Sequence, residues 1–276
     1  MIKIKGQKIG FIGGGNMGEA LMAGLLQTRT FSPRSIHVFD LRRPRLSFLK
    51  DRYKILPALS IKDLLQKTTI LILAVKPQDI KGVLTALRPL LRPHHLVISI
   101  AAGIDTAFFS KHLGGGVKIA RTMPNTPALV GRGVTGFYTS KTLTKKDQKV
   151  VQKIFSAVGR VISVNKESSL DTLTALSGSG PAFVYFFMES LILAGQKLGL
   201  NKTTTHDVVV ETFDGALRLL KHTHIAPSDL RTRVTSKGGT TEAGLQQMKK
   251  DRIQQGLIHM IQAATRRATL LRKRAS

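Results

Sequence analysis

The chain has no cysteine and no tryptophan in 276 residues, few aromatics (5%), and only 16 Asp and Glu against 43 Lys and Arg. Without cysteine there is no disulfide scaffold, no thiolate metal site and no cysteine nucleophile. No Ser–His–Asp order and no HExxH pattern is present, so neither triad hydrolysis nor zinc-helix chemistry is expected. The eight histidines are dispersed except for His94-His95 and His222/His224, and they read as ordinary surface side chains. No apolar run is seen to approach the roughly 20 residues that span a bilayer. The glycine-broken start MIKIKGQKIGFIGGGNMG does not read as a signal peptide. The expected compartment is therefore the cytoplasm, with no membrane partner.

The shortage of acid leaves a net charge of 43 − 16 = +27. Residues 1–160 hold 27 basic and 7 acidic side chains, and residues 161–276 hold 16 and 9. Such a surplus suggests a polyanion, but the basic residues are mostly scattered singly. Only RRPR (42–45) and RKR (272–274) form tight clusters. With so few aromatics there is no base-stacking platform, and the charge reads as solvated surface, with nucleic acid not an expected partner. What is abundant is apolar: 42% of residues are hydrophobic, enough for packed cores in one large or two ordinary domains.

The first half alternates short apolar runs with helical stretches. KIGFI (8–12), IHVF (36–39), ILILA (70–74), LVISI (96–100) and VKIAR (117–121) read as strands covered on both faces. Between them, 17–27, 44–51, 61–66 and 79–90 read as helices. The alternation predicts a parallel, doubly wound sheet with ligand-bearing loops along the strand C-termini. After Val164 the strand runs stop, and 181–198, 204–221, 227–234, 242–250 and 253–272 read as helices. The expected boundary lies at 164–168, giving an α/β domain over 1–164 and an all-α domain over 165–276. A helical half this small often completes its core against a second subunit.

Directly after the first strand stand Gly13, Gly14, Gly15, Asn16, Met17 and Gly18, which fit G-x-G-x-x-G. Gly13 permits the tight turn, Gly15 lets backbone approach a pyrophosphate, and Gly18 allows close helix–strand packing. The following helix N-terminus offers unpaired N–H groups to phosphate. Asp40 ends the second strand, 22 residues beyond Gly18, where an acid binds the ribose 2′-hydroxyl of NAD(H). Arg42 and Arg43 follow it and suit a 2′-phosphate. The pattern leaves both cofactors open, and the basicity of this half favours NADP(H), with NAD(H) as the second choice. The expected fold class is α/β, with an N-terminal Rossmann dinucleotide-binding domain and an all-α C-terminal domain.

Further loops carry unusual chemistry. Ala74, Val75, Lys76 and Pro77 follow the third strand, and Ala101 and Ala102 follow the next with room for a flat ring. RTMPNTP (121–127) is a polar turn stiffened by two prolines. In the helical half, SGSGP (177–181) opens one helix and SKGGTT (236–241) another, the latter an anion-friendly loop.

Together GFIGGGNMGEA, AVKPQ, SIAAGI, RTMPNTPALVGRGVTGFY, LSGSGPAFVYFFMESL and VTSKGGTTEAGL resemble the Δ1-pyrroline-5-carboxylate reductase family. The resemblance runs in order over nearly the whole chain. It implies a Rossmann domain, a helical dimerisation domain, and NAD(P)H-dependent reduction of 1-pyrroline-5-carboxylate to L-proline, the last step of proline biosynthesis. It also implies a homodimer or larger homo-oligomer. Residue by residue, it assigns Gly13–Gly18 to the pyrophosphate, and Ala74, Val75, Lys76, Pro77, Ala101 and Ala102 to the nicotinamide side. Ser236, Gly238, Gly239, Thr240 and Thr241 would receive the substrate carboxylate, with the Thr241 hydroxyl at the imine nitrogen as the catalytic group. Glu167 corresponds to an acidic position near the substrate. Relatives usually carry Pro where this chain has Lys237, often Asn or Gln at Arg233, and some have Asn near Ile61. A β-hydroxyacid-dehydrogenase-like enzyme and a reductase of a related cyclic imine are the alternative readings.

Overall fold

Four-residue runs, mostly apolar, build the centre of the sheet. In the computed structural model, which describes residue 4 and residues 6–275, these runs are β1 (Ile9–Ile12), β2 (Ile36–Phe39), β4 (Ile70–Leu73) and β5 (Leu96–Ser99). All four residues of β1, β4 and β5 are buried, as strands covered on both faces require. β3 (Leu56–Pro57), β6 (Lys118–Met123), β7 (Gly133–Thr139) and β8 (Gly159–Ser163) complete one eight-stranded sheet among the described residues. The order is β3-β2-β1-β4-β5-β6-β7-β8.

The sheet is parallel from β3 to β6, with Ile9 facing Ile36 on one side and Ile70 on the other. It is not parallel throughout, as the sequence pattern suggested: β7 runs antiparallel to β6, and β8 parallel to β7. The link from Met123 to Gly133 is too short for a crossover helix. It holds only a 3-10 turn at Thr126–Val130, so the chain returns directly alongside β6.

Helices α1 (Asn16–Gln27), α2 (Arg43–Tyr53), α3 (Ile61–Lys67), α4 (Ile80–Leu87), α5 (Thr106–Leu113) and α6 (Lys145–Ser156) cover the faces. Phe11, Leu21, Leu25, Phe137 and Phe155 centre one apolar layer, and Ile12, Leu84, Val97 and Phe109 the other. Each fully buried side chain of this kind contributes about 1.5–3 kcal/mol. Several helix starts are locally determined: the side chains of Ser60, Asp105 and Thr144 accept the N–H of the residue three further on, satisfying donors the helix leaves unpaired.

The remaining helices are α7 (Ser169–Leu173), α8 (Gly180–Lys197), α9 (Lys202–Thr223), α10 (Pro227–Arg233), α11 (Thr240–Lys250) and α12 (Ile253–Ala275). A π-helical turn, Thr174–Gly178, joins α7 to α8. The helical stretch Ser169–Lys197 is thereby long and apolar enough, by length and composition, to cross a membrane, contrary to the run-by-run reading of the sequence. Its apolar residues are interrupted in sequence by Ser and Gly, and helical continuity joins them into one span.

The chain forms two compact units, one running to Ser179 and resuming at Ala264, the other Gly180–Ala263. The break therefore falls later than the expected 164–168. Strands do end at Ser163, but Leu170 and Leu173 of α7 pack against Gly136 of β7, keeping α7 with the sheet. In the second unit, Gly195 of α8 lies against Thr205 of α9, where a Cβ would come within 2.5 Å of the threonine methyl. Thr205 and Val209 are its buried residues among those described, whereas Tyr185 and Phe186 are 59% and 64% exposed. Within one chain, this unit has almost no core of its own.

Candidate functional site

The glycine loop leaves β1 at its C-terminal end. Gly13 has φ +97°, and a Cβ there would lie 2.5 Å from the Ala74 carbonyl oxygen, so both conformation and packing require glycine. Its N–H donates to the Phe39 carbonyl at 2.8 Å, which fixes the loop to the end of β2. A Cβ on Gly15 would meet nothing within 4 Å, leaving the backbone there open to a ligand. Helix α1 has no side-chain cap, and its first intrahelical bond is from Glu19 N–H to the Gly15 carbonyl at 2.8 Å. The N–H groups of Asn16, Met17 and Gly18 precede that bond at the start of the helix, an arrangement that suits a phosphate. The residues present therefore fit a dinucleotide pyrophosphate. Gly14 stands apart from the others, because its N–H is already given to Asp40 Oδ2 at 2.8 Å.

Asp40 is the anchor of this end of the site. Oδ1 also accepts the Arg42 N–H at 2.9 Å and Nε at 3.1 Å, and Oδ2 accepts Arg42 Nη2 at 3.2 Å. Partial burial pushes the Asp40 carboxyl up, but the Arg42 guanidinium and the Arg42 and Gly14 N–H groups outweigh it and hold the carboxyl below the usual carboxylate range. The ionised Asp40 is thus paired with Arg42 and bonded to the loop through Gly14. Arg43, the first residue of α2, is exposed.

The sequence reading did not anticipate Arg45, which donates to the Gly14 carbonyl and to Glu19, while Tyr53 Oη donates to Glu19 Oε1 at 2.7 Å. Burial raises the Glu19 pKa, and the bonds from Tyr53 and Arg45 more than reverse it. The first turn of α1 is thereby clamped to α2. A signal for it was the acid Glu19 in the first helical turn opposite the basic RRPR cluster.

The ends of β4 and β5 lie beside the glycine loop in the sheet order. Ala74 N–H donates to the Ile12 carbonyl at 2.8 Å, and Ile100 N–H to Leu73 at 3.2 Å. Ala74 and Val75 are half-buried, Lys76 and Pro77 exposed, Ala101 buried and Ala102 half-buried. Ser99 ties the neighbouring turn: its Oγ accepts the Ala101 N–H at 3.1 Å, and its carbonyl accepts the Thr122 hydroxyl at 2.9 Å. Small side chains thus line the ends of both strands.

RTMPNTP and SGSG, far apart in sequence, meet in this first unit. Asn125 Nδ2 donates to the Ser177 carbonyl at 2.9 Å, and Asn125 Oδ1 accepts the Val134 N–H at 2.8 Å. A Cβ on Gly178 would come within 2.9 Å of the Met123 methyl. The π-helical turn is closed by Ser179 N–H on the Thr174 carbonyl at 2.9 Å. Glu167 is held by the N–H and hydroxyl of Thr106 at 2.8 and 2.6 Å and by Arg121 Nη1 at 3.3 Å, so its oxygens are committed to protein partners.

In the second unit, SKGGTT turns into α11. Gly238 has φ +73°, and its N–H donates to Glu242 Oε2 at 2.7 Å. Gly239 N–H donates to the Ser236 carbonyl at 3.1 Å. Two of the amides expected to receive a carboxylate are therefore satisfied internally. The first helical bond is from Ala243 N–H to the Gly239 carbonyl at 3.2 Å, and no side chain caps the helix. The N–H groups of Thr240, Thr241 and Glu242 precede it and are the donors suited to a carboxylate. Thr241 is half-buried, while Ser236 and Lys237 are exposed. Lys237, unlike proline, leaves the turn's shape to the Gly238–Glu242 bond.

Comparison with known proteins gives consistent results. Residues 167–271 match the family model described as pyrroline-5-carboxylate reductase dimerisation, and residues 8–103 match one described as NADP oxidoreductase coenzyme F420-dependent. The chain is 35% identical to pyrroline-5-carboxylate reductase 2 of Bacillus subtilis, over 97% of this chain and 96% of that one. Among solved structures, it is similar to a pyrroline-5-carboxylate reductase from Coxiella burnetii, with a TM-score of 0.91 and 36% identity over 96% of this chain and 98% of that one. It is also similar to pyrroline carboxylate reductase of Plasmodium falciparum with NADP bound, with a TM-score of 0.86 and 30% identity over 97% and 99% of the two chains.

Proposed function

The chain belongs to the pyrroline-5-carboxylate reductase family, and from that premise we propose how its own residues serve the reduction of 1-pyrroline-5-carboxylate to L-proline with NADP(H). The reaction is an oxidoreduction at a carbon–nitrogen bond and the last step of proline biosynthesis. The observation that carries the reading is the open, uncapped start of α1 at Gly15, with the whole motif set in order along a chain similar from end to end to these reductases.

When bound, the cofactor supplies a hydride; the protein supplies position and charge. The N–H groups of Asn16, Met17 and Gly18 hold the pyrophosphate. Arg43, with Arg42, takes the 2′-phosphate; Asp40 is kept from repelling it by its pairing with Arg42. Ala74, Val75, Lys76, Pro77, Ala101 and Ala102 wall the nicotinamide. The N–H groups of Thr240, Thr241 and Glu242 hold the substrate carboxylate, and the Thr241 hydroxyl orients the protonated ring nitrogen, which takes up the electron pair of the C=N double bond as hydride reaches the neighbouring carbon and leaves as the amine N–H of proline. Gly238 and Gly239 shape that loop and do not donate to the ligand. Glu167 positions the α5 start and does not touch substrate.

The protein acts as a homo-oligomer. The exposed apolar side chains of α8, Val184, Tyr185 and Phe186 among them, give the second unit a surface that a further copy of the chain covers. We place the enzyme in the cytoplasm. The testing experiment follows NADPH consumption with 1-pyrroline-5-carboxylate, with L-proline measured as product. Turnover of a hydroxyacid and none of the imine would replace the reading with a β-hydroxyacid dehydrogenase.

A further inference from the structure

Arg272 lies in one of the two tight basic clusters of the sequence, yet the structure gives it a specific partner. Its Nε donates to Asp171 Oδ2 at 3.0 Å, and its Nη1 lies 3.8 Å from Asp105 Oδ2. Thr269, one turn earlier on α12, donates its hydroxyl to the same Asp171 oxygen at 3.0 Å. Asp171 is 2% exposed, so its charge needs partners inside the protein. Arg121, 4% exposed, approaches its other oxygen at 3.5 Å and also reaches Glu167 at 3.3 Å. Glu167 in turn accepts both the N–H and the hydroxyl of Thr106.

Every branch of this network ends on one short segment, residues 101–106. Asp105 caps α5 through the Phe108 N–H at 2.9 Å, and Thr106 begins that helix. Gly103, with φ +74°, lies against the backbone of α12, where a Cβ would come within 3.3 Å of Leu271 Cβ and 3.7 Å of Arg272 N. Arg121 is paired in the sheet with Ser99, whose hydroxyl accepts the Ala101 N–H. The segment is thus gripped from β6 below and from the last helix at its side.

We infer that the end of α12, through Arg272 and Thr269 acting on Asp171 and Asp105, is a positioning strut for the Ala101–Thr106 segment that walls the nicotinamide. The inference rests on the assignment of Ala101 and Ala102 to the nicotinamide side. A wall displaced by a fraction of an ångström changes the alignment of two reacting rings, to which hydride transfer is sensitive.

The test uses the full-length enzyme and the variants Arg272→Ala, Arg272→Lys and Thr269→Val. Hydrogen exchange of the cofactor-free protein is measured on peptides covering residues 100–110. Expected is faster exchange there in Arg272→Ala, with the glycine loop and the rest of the sheet unchanged, and partial protection in Arg272→Lys. In steady state, kcat falls and the NADPH KM rises by about tenfold together, while the 1-pyrroline-5-carboxylate KM stays within twofold. Thr269→Val keeps both charges and gives a smaller effect of the same kind, which preserves the test if Arg272→Ala does not fold. Uniformly faster exchange, or a lower melting temperature with unchanged kcat and NADPH KM, overturns the strut. Failure of the wild-type enzyme to reduce the imine overturns the functional reading instead. Loosened exchange at 100–110 with unaltered kcat and NADPH KM overturns the strut as well, because the segment then does not position the nicotinamide.

Discussion

Glu242 reaches back from the first turn of α11 to accept the N–H of Gly238 at 2.7 Å. The pair closes the SKGGTT turn and removes Gly238 from the set of ligand donors. It also supplies the restraint that a proline at position 237 would give through its fixed φ. The loop's glycines therefore set its shape, and the threonines at the helix start carry its chemistry.

Two substitutions separate these roles. Glu242→Ala is expected to raise the 1-pyrroline-5-carboxylate KM by about tenfold, the scale of one lost charge-assisted hydrogen bond, with the NADPH KM unchanged. Thr241→Ala is expected to lower kcat by roughly ten- to a hundredfold, as loss of an oriented hydrogen-bonding group at the reacting centre does. Thr241→Ser should recover most of it. Steady-state kinetics with each substrate varied in turn check both, and a Thr241→Ala enzyme with normal kcat removes the catalytic assignment.

The cofactor end makes a separate prediction. Arg43→Ala is expected to raise the NADPH KM by about tenfold or more, since an Arg–phosphate pair is charge-assisted. The NADH KM should stay within twofold. Equal losses with both cofactors would move Arg43 away from the 2′-phosphate.

Asp40 links the glycine loop to pH. Its folded-state pKa lies below the ordinary value because the Arg42 and N–H bonds outweigh the burial that raises it. Its stabilising contribution is therefore complete above the unfolded pKa of about 4 and is lost as pH falls through the lower folded value. Titrating NADPH binding and thermal stability downward in pH should show an acid-side loss. Asp40→Asn should be weaker at neutral pH and flatter on the acid side. A variant with the wild-type acid profile shows that Asp40 does not brace the loop.

The apolar surface of the second unit predicts its own disruption. Phe186, 64% exposed in the single chain, is expected to be covered between copies, so Phe186→Asp should shift the sedimentation profile toward monomer and lower stability. An unchanged oligomer would place the interface on another face.

Much of this was legible from local pattern. β1, β4 and β5 are continuous apolar runs because both faces are covered, and the five helices after residue 180 were found within a few residues of their ends. β7 and β8 were not, since GVTGFYT mixes glycine and polar residues and GRVIS is only partly buried. Helix α6 had a readable start in Thr144 and Asp147, which form a capping box, but a long charged stretch hides its apolar face. At the site, residue types at the strand ends were visible as motifs. Their partners were not: Gly14–Asp40, Arg45–Glu19 and Thr106–Glu167 join positions 26 to 61 residues apart, and no local period encodes such pairs. The charge surplus finds partial use. Arg42, Arg45, Arg121 and Arg272 are engaged with carboxylates, and Arg43 is assigned to the phosphate. Most of the remaining cations carry no assigned role.

The most direct test is the initial rate of NADPH oxidation by the purified protein with 1-pyrroline-5-carboxylate, run beside NADH and with L-proline quantified. Saturable turnover with one L-proline formed per NADPH consumed, and a lower KM for NADPH than for NADH, is the predicted result. Absence of L-proline while NADPH binds normally would contradict the assignment of the reaction.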